Sequence, residues 1–234
     1  MNTNRKIAAI AGALFIIGTV AGVLSVVFTS SILNEPDYLI KVAANTNQIA
    51  LGALCVLIMG LALAMIPVVI FPVLKKHNEV MALGYVVFRG ALETFTYLVI
   101  VISWLALIIL SQEYQIAGTS NAPYYQTLGN LLLKTAEIGA TTTAIVFPLG
   151  AIMLYAVYYQ SKLIPRWLSV WGLIGVILHL FATGLAGMFG LTNSMSTIQS
   201  VLALPIFLQE MVMAVWLIVK GFNPTAIDSG TKLD

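Results

Sequence analysis

The sequence predicts an all-α fold, a polytopic membrane helix bundle with six transmembrane helices. Hydrophobic residues make up 60% of its 234 residues. Charged residues make up 9%, against roughly 25% in soluble domains. The mean hydropathy is +0.98, and six apolar runs can each cross a hydrocarbon core of about 30 Å. No segment has the composition of a soluble domain, so we expect one transmembrane domain over residues 1–222 and a short cytoplasmic tail over 223–234.

The six predicted spans are numbered in chain order, and each ends where its apolar run gives way to polar residues. They are Ile7–Phe28, Ile49–Phe71, Val80–Leu110, Leu131–Tyr159, Trp167–Gly190 and Ile198–Val219. Span one follows Arg5 and Lys6 as a signal peptide would. Its apolar run of about 22 residues exceeds the usual signal-peptide core of about 7–15, so we expect an uncleaved helix. Spans three and four are long enough to tilt or to extend beyond the bilayer.

Proline and glycine mark places where the predicted spans depart from regular helices. Proline lies inside spans two, four and six, where each ring removes one backbone hydrogen bond and favours a kink: these are Pro67, Pro148 and Pro205. Gly18 and Gly22 form a GxxxG pair in span one. The pair indicates close approach to a neighbouring helix, or to a second copy of the chain in a homo-oligomer. Between spans one and two, Asn34 and Asp37 flank Pro36 and predict a helix start.

Lysine and arginine fall mainly on one side of the predicted topology. That side carries Arg5, Lys6, Lys75, Lys76, Lys162, Arg166, Lys220 and Lys232, whereas Lys41 alone is clearly on the other. Because cytoplasmic loops carry the positive excess, we expect both termini to be cytoplasmic and the protein to lie in the cytoplasmic (inner) cell membrane. The net charge of +2 is too small to indicate nucleic-acid binding. The expected partners are the lipid bilayer and a small-molecule or lipid ligand.

Two opposite charges are predicted at the same depth, near the middle of the bilayer. At about 1.5 Å per helical residue from the cytoplasmic boundary, Arg89 in span three lies about 14 Å deep and Glu210 in span six about 15 Å deep. Each costs about 2.5–3.5 kcal/mol on the insertion scale, so together they cost roughly 5–7 kcal/mol before any pairing. Such residues rarely face lipid; they pair, or they line a cavity or a functional path.

The sequence around Arg89 places its polar residues on one face of span three. Helical spacing puts one stripe on that face: Arg89, Glu93, Thr96, Ile100 and Ser103, with Tyr85 and Tyr97 beside it. Within a helix, an arginine four residues before a glutamate is the less favourable order. We therefore expect Arg89 to find at least one partner on another helix.

Three further polar residues lie between this level and the outer boundary. The same count places His179 about 20 Å deep, level with Glu93. It lies on a face of span five whose glycines and alanines let another helix approach closely. Glu137 and Lys134 in span four come out at about 33–38 Å, near the outer interface, where they would stand at an outer mouth. The polar groups thus form a column from the midplane outward, and the inner half is apolar.

Alternative interpretations of this column stay open. Arg89 and Glu210 can form a structural clamp in a non-catalytic partner or regulator of another membrane protein. We favour a second interpretation: the cluster, open toward the outer side, binds, and in one version transports, a small anionic or amphipathic molecule or an ion, with Arg89 as the anchor for an anionic group, because three carboxylates and a histidine exceed what one arginine needs. An intramembrane enzyme would use a carboxylate or His179 as general base on a lipid-borne substrate. No metal-ligand spacing and no phosphate or dinucleotide motif is present, so we expect no metal and no cofactor.

Two stretches of the chain resemble a known family. They are "YQSKLIPRWLSVWGLIG" (Tyr159 to Gly175) and "LPIFLQEMVMAVWLIVKGF" (Leu204 to Phe222), supported by the start of span one and by "FRGALE" in span three. On these residues the chain resembles the bacterial membrane family catalogued as domain of unknown function 4386, over most of its length up to Phe222. The resemblance implies a multi-pass membrane protein, and it implies no activity, substrate or site residue.

Overall fold

The computed structural model describes residues 3–117, 121–191 and 197–229, and within these ranges every regular element is helical. Six helices are long and apolar enough to cross a membrane, which confirms the predicted multi-pass bundle. They are Thr3–Leu33, Thr46–Leu74, Glu79–Ala117, Ala122–Ser161, Arg166–Met188 and Val201–Val219, the last being the apolar part of helix Thr197–Val219. Short helices Tyr38–Ala44 and Pro224–Ser229 follow spans one and six. Lys232 lies outside the described residues.

Most spans are longer than their apolar runs, because a helix continues into the interface as long as nothing in the sequence ends it. Span four shows this most clearly. It begins at Ala122, well before the predicted Leu131, with Pro123 in its first turn. Proline is favourable there because the first helical residues have no intrahelical acceptor for an N–H group. The intervening residues are too polar to count as membrane-buried, yet after Pro123 they include no further proline that would end the helix.

The helix start predicted around Pro36 is present as the short helix Tyr38–Ala44. Asp37 occupies its N-cap position without a side-chain capping bond. The hydroxyl of Tyr38 donates to the backbone oxygen of Gln126 and lies 3.0 Å from Oδ1 of Asn130 in span four. Gly129 leaves room for this ring, because a Cβ built at Gly129 would lie 2.5 Å from the Tyr38 hydroxyl. The helix therefore closes one end of the bundle.

The other end of the bundle carries the basic residues, and we call it the basic end. There Arg5 donates hydrogen bonds to the carbonyl groups of Leu217, Ile218 and Val219. These are last-turn carbonyls of span six, which have no intrahelical donor. The contact fixes the start of span one to the end of span six. That the basic end faces the cytoplasm stays a prediction.

The glycines of span one serve contacts within the chain. A Cβ at Gly12 would lie 2.5 Å from the backbone oxygen of Ala214, so spans one and six touch there. Cβ atoms at Gly18 and Gly22 would instead meet the side chains of Leu63 and Met59 in span two, at 2.7 and 2.8 Å. The GxxxG pair thus packs span one against span two. It gives no evidence for a homo-oligomer.

Spans three and five each contain a π-helical stretch that sequence periodicity did not predict. The stretches are Val86–Leu92 in span three and Leu180–Leu185 in span five. A π-helical turn has i to i+5 hydrogen bonds, is wider than an α-helical turn, and is frequent at functional sites. The first contains Arg89, and the second begins directly after His179. The three prolines at which the sequence favours kinks also lie inside helices that continue past them: these are Pro67, Pro148 and Pro205.

Candidate functional site

The stripe predicted on span three is buried along its whole length. The exposed fraction is 3% for the Arg89 side chain and 1% for that of Glu93. Thr96, Ile100 and Ser103 are buried as well. Arg89 is the only buried residue of its π-helical stretch. Span three therefore presents one polar face to the bundle, and the wider turn lies where that face carries its positive charge.

Arg89 joins two carboxylate groups. Its Nη1 lies 3.1 Å from both oxygens of Glu93, and its Nη2 donates to Oε1 of Glu210 in span six at 3.2 Å. The partner expected on another helix is thus Glu210, and Glu93 on the same helix is a second partner. The hydroxyl of Tyr97 donates to Oε1 of Glu93 at 2.8 Å. We call Arg89, Glu93 and Glu210 the charged triad.

Aromatic rings enclose the guanidinium group of Arg89. Its Cζ lies 4.5 Å from the ring centroid of Phe147 in span four and 6.0 Å from that of Phe15 in span one. A guanidinium over a ring face gains a cation–π attraction, which is larger when both groups are away from water. The ring of Phe147 also meets His179 edge to face, with the ring centroids 5.6 Å apart. Phe147 thus contacts both Arg89 and His179, and among the described residues the arginine is the one of the two with carboxylate partners.

The triad borders a cavity of about 440 Å³. Its walls come from spans one to six, and its described lining residues are Gly18, Thr19, Gly22, Val23, Val26, Met59, Leu63, Arg89, Glu93, Tyr97, Ala140, Thr143, Ala144, Phe147, His179, Thr183, Phe207 and Glu210. Three of these, Val23, Val26 and Phe207, are exposed on the outside of the bundle at 50%, 44% and 43%. Val23 and Val26 on span one and Phe207 on span six thus reach both the cavity and the outer surface of the bundle, which indicates that the cavity opens sideways between these two spans, toward lipid.

Several polar atoms of the cavity wall have no hydrogen-bond partner among the described residues. They are Nδ1 of His179, Oγ1 of Thr183 and Nε of Arg89, all shielded from solvent. The side chain of Glu210 is 16% exposed, and its Oε2 makes no hydrogen bond to a described residue. Buried polar atoms in proteins are almost always paired with protein or water. Oε2 of Glu210 is therefore the atom most open to an occupant of the cavity, and the other three atoms lie just behind the cavity surface.

A second polar cluster seals the bundle on the basic side of the triad. Gln209 is fully buried; its Oε1 accepts from the hydroxyl of Tyr155 at 2.6 Å, and its Nε2 donates to the backbone oxygen of Leu168 at 3.0 Å. These bonds join spans four, five and six next to Glu210. Sequence reasoning did not select Gln209, although its position beside Glu210 in "LQEM" was a usable signal.

The structure places the predicted site residues in two groups. Arg89, Glu93, Tyr97, His179 and Glu210 all line the cavity. Glu137 and Lys134 form an ion pair at 2.6 Å with exposed fractions of 34% and 73%, and neither is among the described lining residues. Tyr85 is 1% exposed and packs in the hydrophobic core outside the lining.

Sequence reasoning did not select Thr143, Phe147 and Thr183 as site residues. Thr143 lies 2.6 Å from Thr96, hydroxyl to hydroxyl, and this contact joins spans three and four beside Glu93. Thr183 follows His179 by one helical turn, which was the available signal for it. Phe147 carried no signal, because one phenylalanine among many apolar residues does not stand out.

Comparison with known proteins gives a family and no relative of known function. The model of a family described as a domain of unknown function (DUF4386) matches residues 10–221. The match includes every residue of the charged triad, and it confirms the resemblance drawn from the two quoted stretches. No curated protein and no solved structure matches the chain.

Proposed function

We propose that this chain, which belongs to the family described as a domain of unknown function (DUF4386), binds an amphipathic molecule that enters its cavity from the bilayer. The polar head would lie against Glu210, His179 and Thr183, and the apolar tail would leave between spans one and six. The observation that supports this most is the cavity itself, which has charged groups at its inner wall and exposed apolar residues at its mouth. We further propose that the basic end faces the cytoplasm, in the inner cell membrane.

The division of the cavity wall matches the two parts of such a ligand. Binding pockets for small molecules are commonly 300–1,000 Å³ and mainly apolar, with a few polar groups that fix orientation. This cavity of about 440 Å³ falls within that range. Gly18 and Gly22 keep the wall of span one thin, and Val23 and Val26 continue it to the lipid-facing surface. A hydrocarbon tail on this path would pass from apolar wall to lipid without crossing water.

The packing of the basic end favours binding over passage across the membrane. Between the triad and the basic end, the core contains large, fully buried side chains: Ile66, Ile70, Leu74, Tyr155, Tyr158, Leu163, Leu168 and Leu217. These side chains belong to one continuous hydrophobic cluster. Apart from Gln209 and its hydrogen-bond partners, the described core on that side is mainly apolar, which supports a sideways route for a ligand in the cavity.

The state of Arg89 favours an amphipathic ligand over a small anion. Both of its terminal nitrogens already donate to carboxylate oxygens, at 3.1–3.2 Å. An anion would have to displace one of these carboxylates and leave it unpaired in a site of low dielectric constant, which is expensive. Arg89 therefore acts in this proposal mainly to hold Glu93 and Glu210 in place.

The second candidate is a structural clamp without a ligand. It is favoured by the fact that Arg89 connects spans three and six while 3% exposed. A clamp alone, however, gives no role to the cavity or to the unpaired atoms of His179 and Thr183. The two candidates differ in whether blocking the mouth of the cavity has any effect.

A pair of double variants tests the proposal. Val23→Trp with Val26→Trp fills the mouth. Val20→Trp with Val27→Trp adds the same two rings to span one at lipid-facing positions that are 51% and 61% exposed and outside the lining. Each protein is purified in lipid nanodiscs and extracted with organic solvent, and the extract is quantified by mass spectrometry. The wild type and the control should release a bound amphipath in an amount about equimolar to the protein. The mouth variant should release little. Equal release from both double variants, or none from the wild type together with no binding of added amphipaths, would overturn the proposal.

A further inference from the structure

The charged triad and the unpaired atoms beside it point to a more specific ligand. We infer that the occupant of the cavity is a long-chain amine, a single-chain amphipath whose head is a protonated primary amine. This inference rests on the proposed function, since it names the head group of the amphipath that the cavity would bind. Three independent features of the described residues support it: the charge balance, the set of hydrogen-bond acceptors, and the apolar exit.

Carboxyl groups outnumber cationic groups among the described residues of the cavity wall. Its described ionic residues are Arg89, Glu93 and Glu210, so in their ordinary ionic forms two carboxylates face one guanidinium. His179 adds no fixed charge at neutral pH. Burying a net charge without a partner is expensive in a medium of low dielectric constant. A cationic head group supplies the missing charge, a neutral head leaves the imbalance, and an anionic head increases it.

The unpaired acceptors match the donors of a primary ammonium group. Such a group has three N–H donors and no acceptor, as in the lysine side chain. Three residues that line the same cavity carry an acceptor with no partner among the described residues: Glu210 at Oε2, which is accessible, and Thr183 at Oγ1 and His179 at Nδ1 (in the tautomer protonated at Nε2), which a rotation of the side chain would turn toward the head group. A quaternary ammonium carries the same charge but has no N–H group, so it would satisfy none of them.

The shape of the opening indicates a single apolar chain attached to that head. The residues that lead outward from the triad are Val23 and Val26 on span one and Phe207 on span six. None of them has a polar side chain. The exit lies in the lipid-facing surface, so the tail needs no aqueous route. An alkylamine is protonated at neutral pH, as lysine is, and it therefore combines the required head and tail.

Four probes with the same hexadecyl chain separate the features of the head group. They are hexadecylamine, hexadecyltrimethylammonium, hexadecanol and hexadecanoate, each measured by equilibrium binding to the full chain in nanodiscs after subtraction of empty nanodiscs. We expect hexadecylamine to bind best and each of the others about tenfold or more weaker, because each loses the charge or the charge-assisted hydrogen bonds. Equal or tighter binding of any other probe would overturn the inference and leave the proposed function standing. Failure of all four to bind would overturn both.

A conservative substitution checks that the measured binding is at this site. Thr183→Val keeps the side-chain shape and removes one acceptor, so hexadecylamine affinity should fall several-fold while hexadecanoate affinity stays the same. Glu210→Gln should reduce amine affinity about tenfold or more. Glu137→Gln, which neutralises a carboxylate outside the cavity, is the matched control and should have no effect. Unchanged amine binding in the folded Thr183→Val and Glu210→Gln variants would place the amine elsewhere and overturn the inference.

Discussion

Arg89 and Glu210 lie 121 positions apart in the chain, and Nη2 of the arginine donates to Oε1 of the glutamate at 3.2 Å. The bond joins span three to span six at the inner wall of the cavity. It holds one carboxylate oxygen of Glu210 and leaves the other free to meet an occupant. The same contact therefore serves the packing of two helices and the positioning of the binding group.

Removal of the arginine should destabilise the bundle strongly. Arg89→Ala would leave Glu93 and Glu210 buried without their cation. Breaking a buried ion pair from one side typically costs about 3–5 kcal/mol of unfolding free energy. Denaturation by sodium dodecyl sulfate in mixed micelles measures this change. Replacing both carboxylates as well, by Glu93→Gln and Glu210→Gln in the same chain, should restore a large part of the loss.

The matched control for this variant is Arg166→Ala. Arg166 is exposed at the basic end, where its guanidinium lies 5.2 Å from the ring centroid of Tyr159. An exposed contact of this kind contributes little, so the control should stay within about 0.5 kcal/mol of the wild type. An Arg89→Ala variant as stable as this control would show that the triad does not hold spans three and six together.

The contact between spans one and six depends on Gly12. A Cβ there would lie 2.5 Å from the backbone oxygen of Ala214, whereas a Cβ at Gly90 would have its nearest neighbour at 3.6 Å. Gly12→Ala should therefore force the helices apart and lower the unfolding free energy by about 1–3 kcal/mol, in the range of overpacked cores. Gly90→Ala should be tolerated. Thermal unfolding of the two variants compares them, and equal stability would contradict the close approach of spans one and six.

The orientation of the chain can be tested with single cysteines. In a Cys55→Ser background, Lys76→Cys lies at the basic end and Asn34→Cys at the opposite end, and both positions are exposed. The positive-inside rule predicts that, in intact cells, a membrane-impermeant maleimide labels Asn34→Cys and leaves Lys76→Cys unlabelled until the membrane is opened. Labelling of Lys76→Cys from outside would reverse the topology. It would leave the bundle itself unaffected.

The loop between spans two and three should make stability depend weakly on pH. Burial, with a smaller contribution from the positive charge of Lys76, lowers the pKa of His77 below its ordinary value of 6.5. The unfolded chain then binds a proton more readily than the folded chain, so stability is full above about pH 6.5 and falls as the pH drops through the folded pKa. His77→Gln should flatten this part of the curve between pH 7.5 and 5. A variant with the same pH dependence as the wild type would show that His77 does not cause it.

The sequence predicted the helices and the level of the charges because both depend on local information. Apolar run length defines a span, and counting along the helix placed Arg89 and Glu210 at the same depth, where they pair. Spacing alone also put Arg89, Glu93 and Thr96 on one buried face. The spacing of Lys134 and Glu137 likewise predicted that the two residues lie close together. It did not predict that they would lie outside the described lining of the cavity.

The cavity could not be predicted from the sequence, because it depends on how neighbouring helices diverge. Gly12, Gly18 and Gly22 look alike in the sequence, yet the first contacts span six and the other two contact span two. The residues at the opening, Val23, Val26 and Phe207, are likewise brought together by the packing of the helices and not by any spacing in the sequence. The π-helical stretches were missed for a related reason, since one extra residue in a turn barely changes the hydrophobic pattern over a whole span.

The most direct measurement of the central claim is a density map of the full chain in lipid nanodiscs with hexadecylamine added. We expect an elongated density that begins beside Oε2 of Glu210 and Oγ1 of Thr183 and leaves the bundle between Val26 and Phe207. The same density should be absent after Val23→Trp with Val26→Trp. A cavity that is empty in both maps, or closed by repacked side chains at saturating amine, would contradict a ligand-binding role and leave Arg89 and Glu210 as a structural clamp.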